Sequence, residues 1–187
     1  MSTQRLNAFS AHAIAAQPAP DRSSSRPIAL EALENAVTRT ATNYWRMLRG
    51  ARNLPPRAAL SPRDMRAILR NVVLLRLIDG GRDYEYRIVG DMFAWAYDKQ
   101  FRGLCLSQVE KAAPEHGARM RGLYEHVRAT AVPLAIQGWV GRDVPDSNFV
   151  YYETVLLPLG DDGQTVDHIL VTSFYVPKAP DAFNPGV

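Results

Sequence analysis

The stretch Val72-Val73-Leu74-Leu75-Arg76-Leu77-Ile78, closed by Asp79-Gly80-Gly81-Arg82 and followed by Tyr84-Glu85-Tyr86-Arg87-Ile88, decides the fold. The first run is β-branched and leucine-rich, and the second alternates apolar with charged residues. The Gly-Gly pair between them supplies the backbone freedom that a tight reversal needs. The spacing predicts two antiparallel strands in a hairpin. Tyr84, Tyr86 and Ile88 then share one face of the second strand, with Glu85 and Arg87 on the other.

Downstream, Gly90-Asp91 ends the hairpin, and residues 92–97 read as a helical turn whose aromatics Phe93, Trp95 and Tyr97 are too dense for a solvated surface. Turns and a short helix around Gly103 follow. Pro114 opens a longer helix to about Thr130, with His116, Met120, Leu123, Tyr124 and Val127 on one face. Three more strands are predicted over 133–141, 149–159 and 166–176, the last two joined at Asp161-Asp162-Gly163. The final strand is apolar on both sides, with Ile169 and Val171 on one and Leu170 and Phe174 on the other, so both faces of the sheet need a cover.

Upstream, Leu30, Leu33, Val37, Tyr44, Trp45 and Leu48 fall near helical spacing, interleaved with Arg39, Arg46 and Arg49. They predict an amphipathic helix over 28–49 that ends at Gly50 and serves as the second cover. Leu54-Pro55-Pro56 breaks the chain, and Ser61-Pro62 starts a short helix to about Leu69. Residues 1–27, with Pro18, Pro20, Pro27 and Ser23-Ser24-Ser25, read as a disordered tail. Within it, 8–16 imitates a signal-peptide core, but Ser10 and His12 interrupt the run, which argues for a cytoplasmic protein. The expected division is a tail over 1–27, helix and linker over 28–60, the domain proper over 61–177, and a C-terminal tail over 178–187.

The chain has 187 residues, enough for one domain, and its 47% hydrophobic and 22% charged composition is that of a globular protein rather than a fibrous or disordered one. No apolar run approaches the ~20 residues that span a bilayer. A single Cys105 permits neither an internal disulfide nor a cysteine zinc cage. Charge is unevenly distributed: residues 1–70 carry eleven Arg, no Lys and four acids, a net of +7, and the remainder is −4. A basic arm before a mildly acidic body argues against a nucleic-acid-binding core. No dinucleotide, Walker, zincin or nucleophile-elbow motif is present, so no catalytic residue and no metal site is assigned.

The segment Tyr44-Trp45-Arg46-Met47-Leu48-Arg49-Gly50, then Leu54-Pro55, Arg57, Ser61-Pro62 and Leu69-Arg70-Asn71-Val72-Val73-Leu74-Leu75, resembles the opening of the stand-alone PAS proteins of alphaproteobacteria. Tyr84 to Gly90 is similar to their second strand, Gly103 with Leu104 and Leu106 to their mid-domain glycine, and Tyr152-Glu153 through Asp161-Asp162-Gly163 to their closing hairpin. The resemblance spans roughly residues 43–176. It implies an α+β, PAS-like, five-stranded antiparallel sheet with a helical insert on one face and the N-terminal amphipathic helix outside it. It also implies a sensory or regulatory module in bacterial signal transduction without catalytic activity, and it names no ligand.

Tyr84, Tyr86, Phe93, Trp95, His116, Met120, Tyr124 and Trp139 are the candidate pocket. Core packing alone explains them, and a small-molecule cavity oriented by phenol hydroxyls is the competing reading. His116 lies where haem-binding PAS domains carry their ligand, but His126 is about 1,000° further round the helix and cannot cooperate with it. Cys105 sits as the flavin-adduct cysteine of light-sensing relatives does, with Leu104 and Leu106 in place of its polar neighbours. No haem or flavin is therefore expected. Leu33, Val37, Tyr44, Trp45 and Leu48 present more apolar surface than a lone helix leaves in water, which predicts a homodimer through this helix. A protein partner in a signalling pathway is expected; nucleic acid and membrane are not. The alternatives are a ligand-free interaction module and a cone-shaped enzyme of ketosteroid-isomerase type, for which Asp91 is the nearest acid.

Overall fold

The computed structural model of the chain describes residues 20–142 and 147–178. Its first regular element is a strand, β1 (Ser24–Ile28), followed by a 3₁₀ turn over Leu30–Ala32 and helix α1 (Ala36–Arg49). Hairpin strands β2 (Val72–Ile78) and β3 (Asp83–Val89) lead into the insert α2 (Asp91–Tyr97), α3 (Leu106–Ala112) and α4 (Pro114–Thr130). Strands β4 (Leu134–Trp139), β5 (Phe149–Leu159) and β6 (His168–Pro177) follow. The strands form one antiparallel sheet in the order β1-β4-β5-β6-β2-β3.

Three local expectations are corrected. The sheet has six strands, not five, because residues 24–28, expected to be tail or helix start, pair with β4 from Ser24 opposite Trp139 to Ile28 opposite Ala135. Main-chain hydrogen bonding to an open sheet edge holds this segment. Its side chains are mostly exposed, so it has no hydrophobic signature, and Pro27 is tolerated on an edge strand. The helix predicted over 28–49 begins at Ala36, where the Asn35 side chain caps it by accepting the Val37 N–H at 2.9 Å. Residues 61–68 form turns instead of a helix: the Met65 and Ile68 side chains are buried, and the chain must then bend through a 3₁₀ turn at Leu69–Asn71 into β2. The remaining tail residues, 1–19 and 179–187, with the signal-like 8–16 run, lie outside the described residues.

The β2–β3 reversal uses left-handed backbone at Asp79, Gly80 and Gly81 (φ 51°, 67° and 86°), and a Cβ on Gly81 would fall 2.7 Å from the Arg128 side chain. The register slips by one residue between Leu74 and Leu75, a bulge that sets Arg87 unpaired in β3.

Each face of the sheet buries its own core. Against α1 and residues 60–68 lie Val72, Leu74, Val155, Leu157, Leu159 and Leu170. Against α2–α4 lie Val73, Leu75, Tyr84, Tyr86, Leu156, Val171 and Tyr175. The lid helix is fixed by two polar contacts. Trp45 Nε1 donates to the Pro158 carbonyl at 2.7 Å. Glu153, only 1% exposed, accepts the Glu34 and Asn35 backbone N–H groups and the Thr38 hydroxyl at the helix start. The homodimer expectation loses its premise here. Leu33, Tyr44 and Trp45 are buried within the chain itself, and Val37 and Leu48 are half-buried against the same core.

Candidate functional site

Strand parity dictates what faces the insert. On β5, Tyr152, Thr154 and Leu156 point to one side; on β6, Val171, Ser173 and Tyr175 stand opposite them in register. From the helices, Phe93 and Tyr97 of α2 and Arg119, Met120, Leu123 and Tyr124 of α4 come down onto this surface. Between the two layers lies a cavity of about 140 Å³, roofed on one side by Ser23–Ser25 of the N-terminal strap. The strap is tied by the Arg142 N–H to the Pro20 carbonyl and by the Gly141 N–H to the Ser23 hydroxyl. Gly138 is the point where strap and chamber touch: a Cβ there would collide with the Ser24 carbonyl and lie 2.8 Å from the Tyr152 hydroxyl.

The walls are aromatic, with hydroxyls among the rings. Phe149 and Tyr175 stand 4.6 Å apart, and Tyr97 meets Phe149 edge-on at 5.6 Å and 82°. Thr154 donates to Ser173 at 2.8 Å. The Tyr97 and Tyr175 rings meet edge-on at 6.3 Å and 88°, and the Tyr86 and Tyr124 oxygens lie 3.3 Å apart. Burial pushes the phenols of Tyr97, Tyr124, Tyr152 and Tyr175 above their ordinary value, so all four remain protonated donors at neutral pH.

Of the eight candidate pocket residues, the structure brings Phe93, Met120, Tyr124 and Trp139 to the chamber. Trp139 is at its rim, with its ring 5.4 Å from Tyr151. Tyr84 does not line it: its hydroxyl donates to Glu125 at 2.8 Å. Tyr86 lies behind Tyr124 in the core, its phenol raised to about 12 by burial. Trp95 packs at the edge of the same core, where its carbonyl accepts from the Asn148 amide at 2.6 Å. His116 faces a separate, open depression beside Tyr97, Lys99 and Phe101. Its ring lies 4.7 Å from Tyr97 with Nε2 unpartnered, and desolvation, then the Arg119 and Lys99 charges, lower its pKa to about 4.

Sequence reasoning missed Thr154, Ser173 and Tyr175, whose common parity with the aromatic Tyr152 on β5 and β6 was the available signal. It also missed Arg119, which precedes Met120 and looks like surface. Cys105 lies outside the chamber, at an isolated bridge to Glu85, and desolvation with the Asp83 and Glu85 charges raises its thiol pKa. Asp91, the acid of the isomerase-type alternative, is exposed and 3.8 Å from Arg70. No carboxylate is among the described residues lining the chamber.

A sheet closed by a lid helix on one side and by a short helical insert over a chamber on the other is the architecture of an α+β sensory domain. The family model for the PAS domain matches residues 33–172, more than half of the chain, and the chain belongs to the PAS-domain family. No curated protein and no solved structure matches it. PAS domains are sensory and regulatory modules. No helix among the described residues is long and apolar enough to cross a membrane, and among those residues no group of three His, Cys, Asp or Glu side chains is placed to hold a metal ion.

Proposed function

We propose that this PAS domain senses a small molecule held in the chamber between β4–β6 and the helices α2 and α4, and passes the signal to a protein partner without chemistry of its own. The observation that carries the reading is the cavity. Protein interiors pack with few voids larger than a water molecule. A space of about 140 Å³, walled by rings and edged with protonated hydroxyls, has the character of a ligand site rather than a packing defect. The output route that fits is β5, because Tyr152 and Thr154 touch the chamber while Glu153 between them holds the start of the lid helix. Its membership of the stand-alone alphaproteobacterial subgroup belongs to the same proposal.

Filling the space tests the reading. Met120→Trp should cost less than ~1 kcal/mol and abolish every ligand-induced rise in melting temperature, whereas overpacking a solid core costs ~1–3 kcal/mol. A strongly destabilised Met120→Trp, together with a wild type whose midpoint no compound shifts, would make the protein a ligand-free interaction module.

A further inference from the structure

The described residues bring one formal charge to the chamber. Among its described lining residues there is no Asp, Glu, Lys or His; Arg119 stands alone. Its neighbours on α4 are spoken for, Arg121 bonded to Glu110 at 2.6 Å and Arg128 to Glu125 at 2.7 Å, but Arg119 is in no ion pair among the described residues. It is exposed at its outer end, and its charge is felt by the Tyr97 and Tyr152 phenols within. A guanidinium at the edge of an apolar chamber, in no ion pair among the described residues, is a planar anion receptor: it donates in a fork that fits a carboxylate, and no carboxylate among the described residues lines the chamber.

The rest of the chamber sets what the anion is attached to. Its size, about 140 Å³, is close to the ~150 Å³ at which a dry apolar cavity takes up benzene. The rings of Phe149, Tyr97 and Tyr175 present edges and faces at mutual tilts that a flat aromatic guest can join. The protonated phenols donate, and so favour an electron-rich guest over a cation.

We infer that the chamber takes a small aromatic monocarboxylate, one benzenoid ring among the phenols with its carboxylate turned to Arg119. This deepens the sensor reading and rests on it. A neutral ring of the same size fills the same space but forgoes the charged contact, and an aromatic amine meets Arg119 as a like charge.

The test titrates benzoate, benzyl alcohol and benzylamine into the full chain by calorimetry, in wild type, Arg119→Gln and Met120→Trp. Benzoate should bind roughly tenfold tighter than benzyl alcohol, a preference that shrinks as salt is raised, and benzylamine should not bind. Arg119→Gln, on an exposed side chain, should keep benzyl alcohol and lose the preference for the anion. Met120→Trp should lose both ligands. Equal binding of benzoate and benzyl alcohol, binding of benzylamine, or an anion preference that survives Arg119→Gln overturns the inference and leaves the chamber reading standing. Binding that survives Met120→Trp, or no binding of any of the three, overturns the chamber reading and the inference with it.

Discussion

The two faces of the sheet are closed by different kinds of side chain. The lid face is mainly aliphatic: Leu33, Ala41, Leu74, Val155, Leu157 and Leu170 meet around Trp45. The insert face is aromatic, with Phe93, Phe101, Tyr124, Phe149 and Tyr175 at its centre. Branched aliphatic chains interdigitate and leave little space, whereas rigid rings tilted at 36–89° to one another leave angular gaps. Buried polar groups occur on both faces, and the lid face also holds the Thr172 hydroxyl, which has no partner among the described residues. On the lid face the Glu153 carboxylate is saturated by three donors from the chain itself, while on the insert face phenols and hydroxyls are left beside an open volume. One face is built to hold and the other to receive.

The largest expected effect is on the sealed face. Trp45→Ala removes a ring that is 2% exposed and orphans the Pro158 carbonyl, and should lower unfolding free energy by ~3–5 kcal/mol in urea denaturation. A loss under ~1 kcal/mol would mean that the lid is loosely attached and that the contrast between the faces is false.

An intermediate effect is expected from acid on the receiving face. His116 binds its proton at about 4 when folded and near 6.5 when unfolded, because its site is desolvated and lies near Arg119 and Lys99. The unfolded chain therefore takes up the proton first. Stability is complete above pH 6.5 and declines as pH falls toward 4, by on the order of 2 kcal/mol from this group. His116→Phe should flatten that part of the stability-against-pH curve; parallel curves for the two proteins would break the assignment.

The smallest effect is on the hydroxyl pair. Thr154→Val alone leaves the Ser173 hydroxyl without its donor and should cost ~1 kcal/mol, while the double variant with Ser173→Ala should recover most of that loss. Additive losses in the double-mutant cycle would show that the two hydroxyls act independently.

The hairpin was legible because its signal is local: β-branched residues, a Gly-Gly turn and alternation, which gave β2 its observed bounds. β5 and α4 were legible for the same reason, and so was the need for a lid, since β6 is apolar on both faces. β1 was not legible, because an edge strand held by main-chain bonds asks nothing of its side chains. The chamber was half legible. Phe93, Met120 and Tyr124 announced themselves by aromatic density and helical spacing, but the azimuth of α4 decides that Arg119 rather than His116 borders the space. The depth of β3 decides that Tyr84 and Tyr86 stop short of it. Both are set by packing between distant segments, which a single sequence does not encode position by position.

The alternation along β5 has an evolutionary corollary. Tyr152, Thr154 and Leu156 serve the chamber, and Glu153, Val155 and Leu157 serve the lid, so deletion or insertion of one codon within this strand would exchange the two sets. The carboxylate would enter the aromatic chamber and a phenol would meet the helix start. Length variation among descendants of this sequence should therefore avoid 150–158 and accumulate at its ends, in the 141–148 connection and the exposed turn at Asp161-Asp162-Gly163.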